Sequence, residues 1–129
     1  MTQRNIQIRT ELPSWAAGLY AAMDAGDIDG VIAHFSEDVR MRYGNAETVV
    51  GHEAVRAASM QFFGAISGMS HDFHDVWESG DAAMLICDVN YTRSDGSVVC
   101  LPAATFIHHR SDGIIDDIQV FMDMAPAVT

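Results

Sequence analysis

Residues 82–109 read AAMLICDVNYTRSDGSVVCLPAATFIHH. Two runs rich in apolar and β-branched residues flank Asp95-Gly96, and a turn-forming Asp-Gly pair between such runs is a strong hairpin signal because both residues tolerate positive φ. The stretch is therefore read as a long antiparallel hairpin, with strands over 82–93 and 97–109. A two-residue turn pairs Ser94 with Ser97, and that register sets Tyr91 opposite Cys100, Asp88 opposite Ala103 and Ile86 opposite Thr105. Ile86, Asp88, Asn90, Leu101, Ala103 and Thr105 then share one face, while Cys87, Val89, Tyr91, Cys100, Pro102 and Phe106 share the other. Pro102 has no amide hydrogen to give the ladder, so a bulge there would move the register by one.

Outward from the hairpin, Gly80-Asp81 and Asp112-Gly113 join it to further strand-like runs at about 70–78 and 114–123, making a four-strand antiparallel meander. Nearer the N-terminus, Val39, Met41 and Tyr43 alternate with Arg40 and Arg42, the period of a strand with one covered face, and the run stops at Gly44-Asn45. Helical spacing accounts for most of the rest. Trp15, Leu19, Tyr20 and Met23 recur along a helix over 13–25, with Gly26 placed for a left-handed cap. Asp27 can cap a second helix carrying Ile28, Val31, Ile32 and Phe35, and Gly51 leads into a third carrying Val55, Ala58, Phe62 and Ile66. The predicted fold class is α+β: three N-terminal helices against a curved antiparallel sheet. A chain of 129 residues that is about half apolar suits one core, so residues 1–129 are read as one domain, with about 1–11 and the last few residues loose.

Seven basic residues against eighteen acidic ones give a net charge of -11, a field that repels nucleic acid and anionic lipid. No stretch reaches the roughly 18 apolar residues a membrane span needs, and the first ten residues carry no apolar signal, so a cytoplasmic chain is expected. Cys87 and Cys100 lack CxxC spacing and read as small buried residues; histidine spacing suits no zinc site, and no metal or other cofactor is expected. Both faces of the hairpin carry apolar side chains. Three helices cover only one face, so the side assigned to Val89, Tyr91 and Phe106 is expected to meet a second copy, giving a homodimer through the sheet.

The order helix, helix, strand, helix, four-strand meander, with YAAMDAGDIDGVIAHFSEDV, VVGHEAVR and DGIIDDIQVFMD, resembles the nuclear transport factor 2-like superfamily, nearest its SnoaL-like and ketosteroid-isomerase-like members. The resemblance spans roughly Pro13 to Pro126 and implies a cystatin-like α+β barrel, a cone of sheet around the helices whose mouth admits a hydrophobic ligand. The ketosteroid isomerase machinery would place its catalytic groups at Leu19, Tyr43 and Thr105, and none of these matches. For limonene epoxide hydrolases one aspartate matches Asp88, but the arginine falls at Ile86 and the second aspartate at Val120. The dehydratase branch, similar to scytalone dehydratase and bile acid 7α-dehydratase, matches at Asp24, Tyr43 and His71; it lacks scytalone dehydratase's second histidine, and the helix-one tyrosine falls at Leu19, with Tyr20 one residue away.

Those matches fall on residues whose chemistry fits. A neutral imidazole such as His71 takes and returns a proton near neutral pH, and a carboxylate such as Asp24 orients it. The Tyr43 hydroxyl can donate to a developing enolate oxygen. Asp88 interrupts an apolar strand; on a covered face it must be paired, bonded or protonated, with Asn90 its neighbour. The expectation is thus an acid/base dehydratase, isomerase or cyclase acting on a hydrophobic carbonyl-bearing small molecule. Asp24, His71 and Tyr43 are its catalytic groups. Asp88, Asn90, Tyr20, Leu19, Met41, Phe62, Ile86 and Thr105 surround the substrate. The alternative is a binding or dimerisation module of the same fold without chemistry. Alternation from Ile118 and Val120 turns Asp123 away from the inner side, and His108 and His109 fall at the rim.

Overall fold

The corner between the first two helices forms as Gly26 and Asp27 predict. In α1 (Ser14–Asp24), Ala16, Leu19, Tyr20 and Met23 are buried at the i, i+3, i+4, i+7 spacing of one helical face. Gly26, at φ 66°, donates to the Met23 carbonyl at 3.0 Å and Asp27 to that of Ala22 at 2.9 Å, the paired bonds of a Schellman cap. The Asp27 carboxylate then accepts from the Gly30 amide at 3.0 Å and opens α2 (Ile28–Ile32). The computed structural model describes residues 6–128.

Seven strands among the described residues form one open, curved sheet. They are β1 (Gln7–Arg9), β2 (Phe35–Tyr43), β3 (Val49–Val50), β4 (Ile66–Ser79), β5 (Ala82–Arg93), β6 (Val98–His109) and β7 (Ile115–Phe121), in the order β1-β4-β5-β6-β7-β2-β3. α3 (His52–Gly64) lies between β3 and β4, and α4 (Ala125–Val128) follows β7. The meander is antiparallel throughout, but β2 joins β7 in parallel. Three boundaries differ from expectation. Phe35 leaves the helix because the Ile115 amide takes the His34 carbonyl at 2.9 Å and starts the β2–β7 pair. Ile66 belongs to β4, where it meets Arg93. Gln7–Arg9, expected to be loose, pairs with Val76–Glu78, and Arg9 reaches Glu78 at 3.1 Å. The tail is likewise ordered: Ala127 is 1% exposed against the core.

The central hairpin carries the largest correction. Its loop has three residues, not two: the Arg93 amide donates to the Ser97 carbonyl at 2.7 Å, with Gly96 at φ 88° donating back to Arg93 at 2.9 Å. A turn closed by a left-handed glycine bulge needs that third residue. Asp88 therefore faces Pro102, Ile86 faces Ala104 and Tyr91 faces Val99. Because side chains alternate, the one-residue slip exchanges faces on one strand relative to the other. Ala83, Leu85, Cys87, Val89 and Tyr91 join Ala103, Thr105 and Ile107 in the core. Ile86, Asp88 and Asn90 lie on the outer face, and Cys100, read as buried, is exposed.

Candidate functional site

Asp24 is the last residue of α1, and a break in β4 governs what it meets. His71 and Phe73 pair with Val89 and Cys87, after which the register shifts, so that Val76 resumes the inner face opposite Leu85. The extra residue at His74 turns its own side chain outward and keeps both the start and the end of β4 facing the helices. His71 Nδ1 lies 2.6 Å from Asp24 Oδ1, and the His71 amide donates to Asp24 Oδ2 at 3.4 Å. The His71 side chain is only 5% exposed. Tyr20 meets its ring edge-on at 4.8 Å, and Phe73 lies nearly parallel at 5.8 Å. A carboxylate accepting from Nδ1–H fixes the neutral tautomer and leaves Nε2 with a free lone pair. The cost of an acidic group at a helix C-terminus is thereby offset by a charge-assisted bond.

His71 lines a small chamber of about 10 Å³ together with Tyr20, Tyr43, Tyr91, Cys87 and Thr105. That is room for about one water-sized oxygen. Burial raises the Tyr43 hydroxyl well above the ordinary tyrosine value, with Cys87 and Asp24 adding to it. Burial does the same for Tyr20, where Tyr43 adds and Thr105 opposes, and for Tyr91. All three thus keep their protons at neutral pH and can act as hydrogen-bond donors. Burial likewise pushes the Cys87 thiol up to about 11, so it remains a thiol and not a nucleophile.

The chamber adjoins an apolar room of about 450 Å³, and Met23 and Tyr43 line both. Met41 and Val31 wall the room from β2 and α2, Ala58, Phe62 and Phe63 from α3, and Met124 and Val128 from the C-terminal segment. Tyr43 packs against Phe62 at 5.4 Å, which meets Tyr91 edge-on at 5.8 Å.

Of the residues picked from the sequence, His71, Tyr43, Tyr20 and Thr105 meet in the chamber with Asp24 behind His71, and Met41 and Phe62 line the room. Leu19, expected in the wall, is fully buried core and lines neither space. Ile86, Asp88 and Asn90 are absent from both. On the outer face Asp88 bonds His74 Nε2 at 2.7 Å, and the Asn90 amide donates to Asp72 at 3.0 Å. Asp123 accepts from the Ala125 amide at 3.1 Å and His109 bonds the Arg110 carbonyl at 2.8 Å, both away from the pocket. Tyr91 and Cys87 escaped the sequence reading through the slipped register, and Met124 and Val128 because a short tail shows no periodicity. Among the described residues no cluster of three or more His, Cys, Asp or Glu has the arrangement to hold a metal ion.

The SnoaL-like domain family matches residues 16–118, nearly all of the helices and sheet just described. The chain belongs to the SnoaL-like domain family. Solved structures share this SnoaL-like fold at low identity. An NTF2-like protein of unknown function from Burkholderia pseudomallei is 21% identical over 89% of this chain and 95% of its own, with a TM-score of 0.78. A protein with a ketosteroid isomerase-like fold from Catenulispora acidiphila, in complex with trimethylamine, is 15% identical over 92% and 91%, at 0.80. A putative SnoaL-like polyketide cyclase from Shewanella denitrificans is 12% identical over 88% and 93%, at 0.74. No curated protein matches the chain.

Proposed function

We propose that this SnoaL-like domain is an acid/base enzyme, of dehydratase, isomerase or cyclase type, acting on a hydrophobic carbonyl-bearing small molecule. The observation that carries the reading is the Asp24–His71 pair at 2.6 Å, with His71 lining a one-oxygen chamber that adjoins the apolar room. The ligand's apolar body occupies the room and its carbonyl oxygen enters the chamber at Tyr43. His71 Nε2 removes the proton next to the carbonyl, and the Tyr43 hydroxyl donates to the oxygen as negative charge develops there. The imidazolium, stabilised by Asp24, then returns the proton to carbon in an isomerisation or to a departing hydroxyl in a dehydration, where it leaves as water. A panel of enones and β-hydroxy ketones tests the reading: the native chain turns over at least one and His71→Ala does not. The non-catalytic alternative predicts binding that His71→Ala leaves intact and no turnover of any member.

The finer assembly reading is a homodimer through the outer face of the sheet; of the residues expected there only Phe106 lies on that face, since Val89 and Tyr91 are buried in the core. Ile8, Trp77, Met84 and Phe106 form one cross-strand row there, with Ile8 56% and Trp77 43% exposed. Arg40 and Arg42 lie at the β2 side of this face and Asp72 and Asp88 at the β4–β5 side, so a two-fold pairing brings opposite charges together. Light scattering on Trp77→Arg should report a monomer where the native chain reports a dimer; equal masses reject the interface.

A further inference from the structure

Three of the four walls of the apolar room belong to the hydrogen-bonded body of the fold, and the fourth does not. α1 with α2, β2 with its following turn, and α3 are each tied into longer elements. Met124 and Val128 come from a segment whose helix, α4, has four residues. One turn has too few internal bonds to hold its own shape in water, so its position depends on docking. Three contacts dock it. Arg93 Nε on β5 donates to the Pro126 carbonyl at 2.8 Å, Asp123 caps the Ala125 amide at 3.1 Å, and the Ala127 methyl is buried in the core. Arg93 is itself steadied by the hairpin loop, where it donates to Ser97 Oγ at 3.2 Å.

We propose that the C-terminal segment is the specificity wall of the room: Met124 and Val128 set how long an apolar tail the pocket accepts, and Arg93 is the positioning residue that holds them there. The inference rests on the reading of the room as the seat of a ligand's apolar body. The ligand class it specifies is a carbonyl head at Tyr43 on an extended aliphatic tail reaching toward Met124 and Val128. Native lengths are discriminated because a methylene that is buried gains affinity, whereas one that meets a docked wall gains none.

The test uses straight-chain methyl ketones from hexan-2-one to dodecan-2-one, competing with the neutral ketone dye prodan for the full chain. Affinity should rise about fourfold per methylene up to a limiting length and then level off. Met124→Ala/Val128→Ala should move the limit to longer chains, and Val128→Trp to shorter ones. Arg93→Ala should blur the limit, and Arg93→Lys, which keeps a donor, should restore it in part; a merely structural role for Arg93 would lower stability without changing length selectivity. Circular dichroism checks that each variant is folded, and the conservative pair Val128→Ala and Arg93→Lys keeps the test open should the others unfold. Levelling at the same length in every folded variant, or no levelling in the native chain, overturns the wall while leaving the room. No binding of prodan or any ketone by the native chain overturns both.

Discussion

Three aspartate–histidine pairs among the described residues have nearly the same bond and unlike surroundings. Asp24 and His71 are 2.6 Å apart, His74 and Asp88 2.7 Å, and His108 and Asp116 2.6 Å. The first histidine side chain is 5% exposed among aromatic rings, whereas His74 is 52% and His108 44% exposed on the outer face. An exposed pair has water for solvent, so its bond is worth little and any proton it moves exchanges freely. In the first pair Asp24 is 33% exposed but the imidazole is enclosed, so the ring acts in a low dielectric beside whatever fills the adjoining space. Enclosure, not the presence of the dyad, separates the candidate site from its look-alikes.

The widest separation should appear in turnover of whichever ketone the panel identifies. His71→Ala is expected to lower the rate by about 10²-fold or more, the usual contribution of a positioned general base, while His74→Ala leaves it unchanged. Equal losses would dissolve the distinction. Tyr43→Phe should cost about 10²-fold with little change in ketone affinity, since its hydroxyl acts where charge develops. An effect confined to affinity would make Tyr43 a lining residue only.

Folding stability compares the pairs without reference to function. Asp24→Ala strands the His71 Nδ1–H in an apolar setting and should cost about 1–3 kcal/mol by urea unfolding, less the small relief of removing an acid from a helix end. Asp88→Ala, whose partner is half in water, should cost below about 1 kcal/mol. The smallest effect concerns pH. The hydrogen bond that the His108 ring donates to Asp116 holds the His108 pKa above its ordinary value, with Asp116, Asp81 and Asp117 adding their charges. The protonated ring thus favours the fold: its contribution is complete below the unfolded value of about 6.5 and is lost as pH rises through the raised one. His108→Gln should flatten the decline in stability above pH of about 6.5. An unchanged slope would show that Asp116 does nothing for the folded state.

Much of the architecture was legible locally, and the site only in part. Gly26-Asp27 announced its corner because a left-handed cap and an aspartate cap act within a few residues. Asp24, His71 and Tyr43 were found through resemblance and chemistry, and Asp24 and His71 do meet. Asp88 misled because an acid within an apolar strand looks buried on either register, and only pairing across the sheet shows which side it takes. Leu19 misled because a core leucine and a pocket leucine occupy the same helical stripe.

The chain's own pattern determined where helices and strands run, which residues turn them, and that one flank of the sheet must be covered, since capping, φ preference and periodicity act over a handful of neighbours. Tertiary structure decided the rest: the third loop residue before Ser97, the bulge at His74 and the parallel seam of β2 with β7. The loop residue and the bulge each shift a strand by one residue, too small a step for local energetics to resolve, yet with a side-chain period of two that step decides whether a carboxylate faces water or the interior.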